Sequence, residues 1–359
     1  PVDPLQTKKK CPKCEENAEP EKMVLDTWAT SSLTPQIAAA LPQAKGKVKL
    51  PFSLRPQGHD IIRTWAFYTI VKAYLHEKEI PWEDIIVSGN VSLGGEKMSK
   101  SKGNTVDPVE VMGEHGADAL RFWASASKLG NDLDYQEKDL ITGKKFINKL
   151  VNASRFVFMN LEGYKGQKPK KFEKIDELFL KELNRVIGTT TIKFKDYEYS
   201  KARFNTEEFF WQDFTDNYIE IVKKRVYKGK GDKKVSAQYV LYQSLLSIVK
   251  MLAPIMPFIT EEIYQEYFRK TEKEKSIHLC KWPEFDNKNE WSEKDVGTFV
   301  NRWFLLKDVI SKIRKVKSEN GKPMNSEINL ILDKKNYSAL KDVLDALKDV
   351  MNIGEISEG

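Results

Sequence analysis

The feature that most constrains this chain's fold is a change of hydrophobic period part-way along it. Between residues 48 and 127, apolar runs of strand length alternate with helical ones, whereas beyond about residue 140 the apolar spacing is helical. Residues 48–54 read as a strand. Residues 61–78 read as a helix with Ile62, Ala66, Thr69 or Ile70, and Ala73 on one face. Residues 85–88 read as a short buried strand. Strand, crossover helix and strand make a β-α-β unit, which requires a parallel sheet. Asp107-Pro108 then supplies an N-cap with proline at the first helical position, so a further helix starts there.

Helical periodicity occupies 142–161, 176–195, 200–226 and 235–252, with Pro254 and Pro257 closing the last and Thr260-Glu261-Glu262 opening another to about 269. This predicts an all-helical bundle. Residues 270–295 turn charged and irregular and are expected to be a linker. A helix over 298–318, a Gly321-Lys322-Pro323 break, a strand over 328–332 and a helix over 335–351 predict a small α/β appendage.

With 359 residues, 40% of them hydrophobic, the chain has material for two or three domains. No run reaches the roughly 20 apolar residues of a membrane helix, since 240–252 is broken by Gln243, Ser244, Ser247 and Lys250. A membrane span is therefore excluded. The chain opens Pro-Val-Asp without an initiator Met or apolar leader, and is expected to be part of a longer polypeptide. Three cysteines are too few for a disulfide scaffold, so a cytoplasmic location is expected. Residues 223–234 (KKRVYKGKGDKK) set seven Lys/Arg against Asp232, which suits a polyanionic partner or a solvated face. Lys307, Lys312, Arg314, Lys315, Lys317 and Lys322 form a second basic stretch open to the same two readings.

The most specific segment runs from Gly94 to Asn104, after the strand at 85–88. Gly94 and Gly95 allow a close-approaching backbone, Lys97, Lys100 and Lys102 concentrate positive charge, and Ser99 and Ser101 add donors. Such a loop can hold a triphosphate. Lysines that close late stabilise the charge developing during attack at the α-phosphorus more than they stabilise bound nucleotide.

Lys97-Met98-Ser99-Lys100-Ser101 resembles the KMSKS signature of class I aminoacyl-tRNA synthetases. Asp26-Thr27-Trp28-Ala29-Thr30-Ser31-Ser32, Gly58-His59-Asp60-Ile61-Ile62-Arg63-Thr64-Trp65, Ala117-Asp118-Ala119-Leu120-Arg121-Phe122-Trp123, Asn148-Lys149 and the 254–262 stretch are similar to segments of the valine-specific, archaeal-type members. The resemblance runs over essentially the whole chain. It implies a multidomain α/β plus all-α protein: half of a zinc module at 1–25, the second half of a Rossmann-like catalytic domain at 26–140, a helical anticodon-binding domain at 141–290 and a small α/β unit at 291–359.

The resemblance also implies roles. Lys100, assisted by Lys97, stabilises pyrophosphate as the loop carrying Met98, Ser99 and Ser101 closes over ATP with Mg²⁺. Gly58 lets the backbone approach the adenosine, and Asp60 accepts the ribose hydroxyls. Trp28, Ile61 and Trp65 form a valine slot, with Ile61 and Trp65 four apart on one helix face. Because one methylene is worth only about 1–3 kcal/mol, such an enzyme also needs editing.

Cys11-Pro12-Lys13-Cys14 is half of a tetrahedral zinc site, whose second pair the resemblance puts upstream. The four histidines, at 59, 76, 115 and 278, leave no His-x-Gly-His. The chain is thus expected not to activate valine unaided, and to partner valine tRNA, ATP and L-valine as a monomer. Candidate tRNA contacts are Arg203, Phe204, Trp211 and 223–234. The competing readings are an isoleucine or leucine relative, or a non-catalytic tRNA-binding protein.

Overall fold

The computed structural model describes residues 9–18, 23, 26–284 and 293–359. The part of the expected linker at 285–292, and residues 1–8, 19–22, 24 and 25 of the expected zinc module, lie outside the described residues. The chain divides into two units: residues 1–90 with 129–132, and 91–128 with 133–359.

In the first unit, a hairpin of β1 (Lys9–Lys10) and β2 (Asn17–Ala18) precedes α1 (Thr27–Ser31) and α2 (Thr34–Ala40). Strand β3 (Phe52–Gly58) pairs parallel with β4 (Trp82–Ser88), Phe52 opposite Trp82 and Gly58 opposite Ser88. Helix α3 (Phe67–Glu77) makes the crossover. The strand expected at 48–54 therefore starts four residues later. The reason is local: Lys47 and Val48 donate their amides to the Ala44 carbonyl, which curls 44–48 into turns unable to pair.

The helix expected from residue 61 begins instead as a 3₁₀ turn (His59–Ile61) and a wide π turn (Ile62–Ala66). The extra width changes its buried face. Trp65, Ala66, Thr69 and Ala73 point inward, and Ile62 and Ile70 are exposed. At the end of β4, Gly89 has no room for a side chain: a Cβ there would sit 2.2 Å from the Asn131 carbonyl oxygen. Gly130 donates to the Val87 carbonyl at 2.9 Å along the same returning segment.

In the second unit, β5 (Val91–Leu93) pairs antiparallel with β6 (Glu96–Lys97) and parallel with β7 (Leu133–Asp134). Between them, α4 (Pro108–His115) is capped as expected by Asp107, whose carboxylate accepts the Val109 amide at 2.8 Å, and α5 (Ala117–Ala124) follows. The bundle consists of α6 (Glu137–Met159), α7 (Lys174–Lys195), α8 (Tyr199–Glu208), α9 (Ile219–Lys228), α10 (Gly231–Leu252), α11 (Pro257–Ile263) and α12 (Arg269–Glu272). A π stretch, Phe209–Tyr218, joins α8 to α9. Its core is aromatic: Phe179 stacks on Tyr218 at 4.0 Å, and Phe146, Phe209, Phe210 and Phe214 are fully enclosed around them.

At the carboxyl end lie α13 (Glu293–Glu319), β8 (Ile328–Leu332), α14 (Lys334–Leu340), α15 (Leu344–Met351) and β9 (Ile353–Glu358). The last helix expected, 335–351, is interrupted by a 3₁₀ turn at Lys341–Val343. Strand β9, which the periodicity did not show, pairs parallel with β8. Two lysines of the second basic stretch turn inward, whereas Lys312, Lys315 and Lys322 stay exposed. Lys317 is buried and donates to the carbonyls of Met324, Ser326 and Met351, while Lys307 pairs with the buried Asp213. Neither of these lysines is a solvated charge or a free polyanion contact. No helix among the described residues is long and apolar enough to cross a membrane.

Candidate functional site

In the first unit, the carboxyl end of β3 carries the Gly58-His59-Asp60 turn, where parallel sheets present their ligand-binding loops. Gly58 has φ −75° and open space where a Cβ would project. Nothing in the chain's own packing demands glycine there. The residue leaves the backbone open to close approach from outside. Asp60 is exposed beside the His59 imidazole, Oδ1 lying 3.3 Å from Nε2, and His59 in turn meets the Asn90 amide at 3.4 Å.

Of the expected slot residues, Ile61 and Trp65 do come together, in a small cluster with Phe52, Ala66 and Trp82. Trp65, however, is only 6% exposed: its ring stacks on Trp82 at 5.4 Å, the Arg55 guanidinium sits 4.0 Å over it, and its Nε1–H donates to the Ser31 carbonyl. The indole is thus part of the local core, and Trp82 and Arg55 are neighbours that sequence spacing did not reveal. Burial of the arginine disfavours its charged form and pulls Arg55 below its ordinary range. Trp28 lies on α1, whose N-cap Asp26 accepts the Trp28 amide at 3.3 Å. Its indole is 36% exposed, and Lys72 holds α1 against α3 by donating to the Ala29 carbonyl and the Ser32 hydroxyl.

In the second unit, the loop after β6 is a closed knot. The β5–β6 turn is made by Gly94 and Gly95, at φ +60° and +81°, a conformation that favours glycine at both central positions. Asp134 pins this turn by accepting the Gly95 amide at 3.0 Å and the Ser92 hydroxyl at 2.8 Å. These donors, with the Gly95 amide foremost, hold its carboxyl below the usual aspartate range. Asn104 closes the other end, accepting the Ser99 amide at 2.9 Å and donating to the Lys97 carbonyl. Ser99 and Ser101 share a hydroxyl contact of 2.7 Å. Lys97 and Lys100 are exposed, and Met98 is half-buried. Asp134 and Asn104 were not singled out from sequence; Asn104, a turn former at the loop's end, was the available signal.

The two thiols sit on the β1–β2 hairpin turn. The amides of Lys13 and Cys14, followed by the Cys14 side chain, hydrogen-bond to the Cys11 sulfur and hold its thiol below its ordinary range. Backbone donors aimed at sulfur favour thiolate, the form in which cysteine binds a soft divalent cation. The donor set fits half of a tetrahedral site.

Elsewhere in the bundle, Arg203 is turned inward over Phe122 at 4.3 Å and pairs with Glu207, and Lys149 sits 5.1 Å over Trp211. Phe204 remains exposed, as does Tyr227 within the 223–234 run. Tyr227, Phe156, Met159 and Lys234 line a cleft of about 390 Å³.

Two family descriptions match the chain: "tRNA synthetases class I (I, L, M and V)" over residues 4–136 and "Anticodon-binding domain of tRNA ligase" over residues 176–332. Among curated proteins the chain is similar to the valine–tRNA ligases of Haloarcula marismortui, at 36% identity over 99% of the chain and 39% of the relative. Those of Pyrococcus furiosus (37%, over 98% and 41%) and Thermoplasma volcanium (39%, over 99% and 45%) are alike in extent. The chain thus spans about two fifths of the length of the curated relatives it matches. Among solved structures, a LeuRS–tRNA–LeuAMS ternary complex from Agrobacterium radiobacter shares the fold. Its TM-score is 0.59 and its identity 19%, over 79% of this chain and 36% of that one.

Proposed function

The chain belongs to the valine–tRNA ligase family of class I tRNA synthetases, and from that premise we propose that it supplies the carboxyl-terminal share of such an enzyme's work. In the complete enzyme, valine and ATP with Mg²⁺ form valyl-adenylate, and the valyl group then passes to the 3′ end of valine tRNA. The observation that carries this reading is the knotted Lys97–Asn104 loop: it presents the exposed Lys97 and Lys100 from a scaffold fixed by Asp134 and Asn104.

In this reading Lys100 and Lys97 meet the charge that builds on the phosphate oxygens as pyrophosphate leaves, with Met98, Ser99 and Ser101 shaping the loop. Gly58 admits the adenosine and Asp60 accepts its ribose hydroxyls. Trp28 and Ile61 wall the valine slot, with Trp65 as the buried support behind them. The domains follow the division at 1–25, 26–140, 141–290 and 291–359, acting as a monomer in the cytoplasm. Cys11 and Cys14 would hold zinc together with a second pair from elsewhere; zinc there supplies a structural crosslink. This chain by itself would not activate valine.

Over 141–290 the bundle would read the anticodon. Lysines of 223–234 contact phosphates and the exposed Tyr227 and Phe204 offer faces on which unpaired bases stack. The test is binding of this chain to valine tRNA and to the same tRNA carrying an isoleucine anticodon, across a salt series. Tighter binding of valine tRNA, weakening with salt for both, supports the reading. Equal affinities would refute anticodon reading by this bundle.

A further inference from the structure

Three groups converge where α4 ends and α6 begins, none of them used by the reading above. Glu114 and His115 are the last two residues of α4, and Glu137 is the first of α6. The His115 imidazole is more than nine-tenths buried. Its Nε2 faces Glu114 Oε2 at 3.8 Å and Glu137 Oε1 at 3.9 Å, too far for hydrogen bonds. Its Nδ1 is enclosed without a partner. Nε2, the nitrogen that faces both carboxylates, likewise makes no hydrogen bond, and an ion seated among the three groups would give that nitrogen a partner. One donor atom from each of the three residues falls within 4.8 Å of the others.

We propose that Glu114, His115 and Glu137 form a binding site for one divalent cation of the zinc class, open to water on the carboxylate side.

The donor chemistry is one neutral imidazole nitrogen and two carboxylate oxygens, a set that suits zinc, cobalt and nickel. Zinc takes such donors at about 2.0–2.2 Å, so tetrahedral neighbours lie about 3.3–3.5 Å apart. The two nitrogen–oxygen separations need to close by about half an ångström, and the oxygen–oxygen separation, which lies within 4.8 Å, by up to about 1.5 Å. The carboxylates can supply that movement, because Glu114 and Glu137 are 72% and 64% exposed while the imidazole is fixed by burial. Water completes the coordination on the open side.

The charges around the site agree. Among the described residues neither carboxylate has a lysine or arginine within ion-pair distance; the nearby Lys144 ammonium is engaged by the Glu114 backbone carbonyl at 2.8 Å. A cation there would clip the end of α4 to the start of α6.

The experiment uses the whole chain with Cys11→Ser and Cys14→Ser, so that thiolate ligation cannot contribute, titrated with cobalt(II) and then competed with zinc. The expected result is one equivalent of cobalt showing visible d–d bands without thiolate charge transfer and displaced by zinc. In the same background His115→Gln should abolish the signal, and Glu137→Gln, a change at a side chain 64% exposed, should lower affinity at least tenfold. No cobalt spectrum at millimolar metal, or a spectrum unchanged by Glu137→Gln, would overturn the proposal and leave His115 as a histidine between two acids.

Discussion

Asp118 on α5 accepts the backbone amides of Phe258 and Ile259, at 3.3 and 2.6 Å, across 140 residues of sequence. One turn along the same helix, Arg121 donates to the carbonyls of Pro254 and Ile255, both at 2.9 Å. A carboxylate thus caps the amino end of α11 while a guanidinium takes up the carbonyls just past α10, each matching the helix end it faces. Two stretches that stood out separately in the sequence, 117–123 and 254–262, are the halves of one joint.

Asp118→Ala should therefore strand two helix-terminal amides and lower stability by about 1–3 kcal/mol, read as a shifted urea midpoint with unchanged slope. Asp118→Asn keeps an acceptor oxygen and should cost less. An unchanged midpoint for Asp118→Ala would show that the joint does not hold the helices.

Asp176 is completely buried and binds the Arg225 guanidinium through both oxygens, at 2.6 and 2.8 Å, together with the Tyr218 and Ser236 hydroxyls. Asp176→Ala would leave Arg225 uncompensated, and the expected loss is about 3–5 kcal/mol. Replacing both partners, with Asp176→Leu and Arg225→Met, should recover a large part of that loss. Denaturant titration of the single and double variants decides it: a double variant no better than the single would contradict the pairing.

The Gly95 amide reports on Asp134. Because the folded-state carboxyl lies below the ordinary value of 3.8, this anchor is present above that pH and is lost as pH falls through the depressed value. Nuclear magnetic resonance of Gly95 should titrate below 3.8 in the native chain, and Asp134→Asn should remove that titration and speed Gly95 amide exchange. A midpoint above 3.8 would mean the anchor is not formed.

Two glycines should behave oppositely. Gly89→Ala places a methyl group on the Asn131 carbonyl and should destabilise the first unit by about 1–3 kcal/mol. Gly58→Ala meets nothing and should leave the melting curve unchanged. In the complete enzyme it should nevertheless raise KM for ATP. Unaltered ATP affinity would remove Gly58 from the nucleotide site.

In that same complete enzyme, Lys100→Ala should slow adenylate formation by about 10²–10³-fold while leaving ATP binding nearly intact, since the lysine is proposed to act on charge that develops only in the transition state. Single-turnover kinetics separate the two quantities. Equal losses in rate and binding would assign Lys100 to ground-state binding instead.

How much of this was legible in advance depends on the range of the interactions. The β-α-β unit, the Asp107 cap, the long bundle helices and the Lys97–Ser101 loop follow from local rules: period, capping and turn chemistry act within a few residues and leave their mark on the sequence. The family resemblance rests on the same short strings. What only the tertiary structure decided involves partners far apart in the chain. These include the placing of Trp65 between Trp82 and Arg55, the Asp134 and Asn104 pins on the loop, the Asp118 joint, the inward turn of Lys317 and the pairing of β9 with β8. A buried charge or a wide helical turn is tolerated only where distant groups satisfy it, and no local pattern encodes which groups those are.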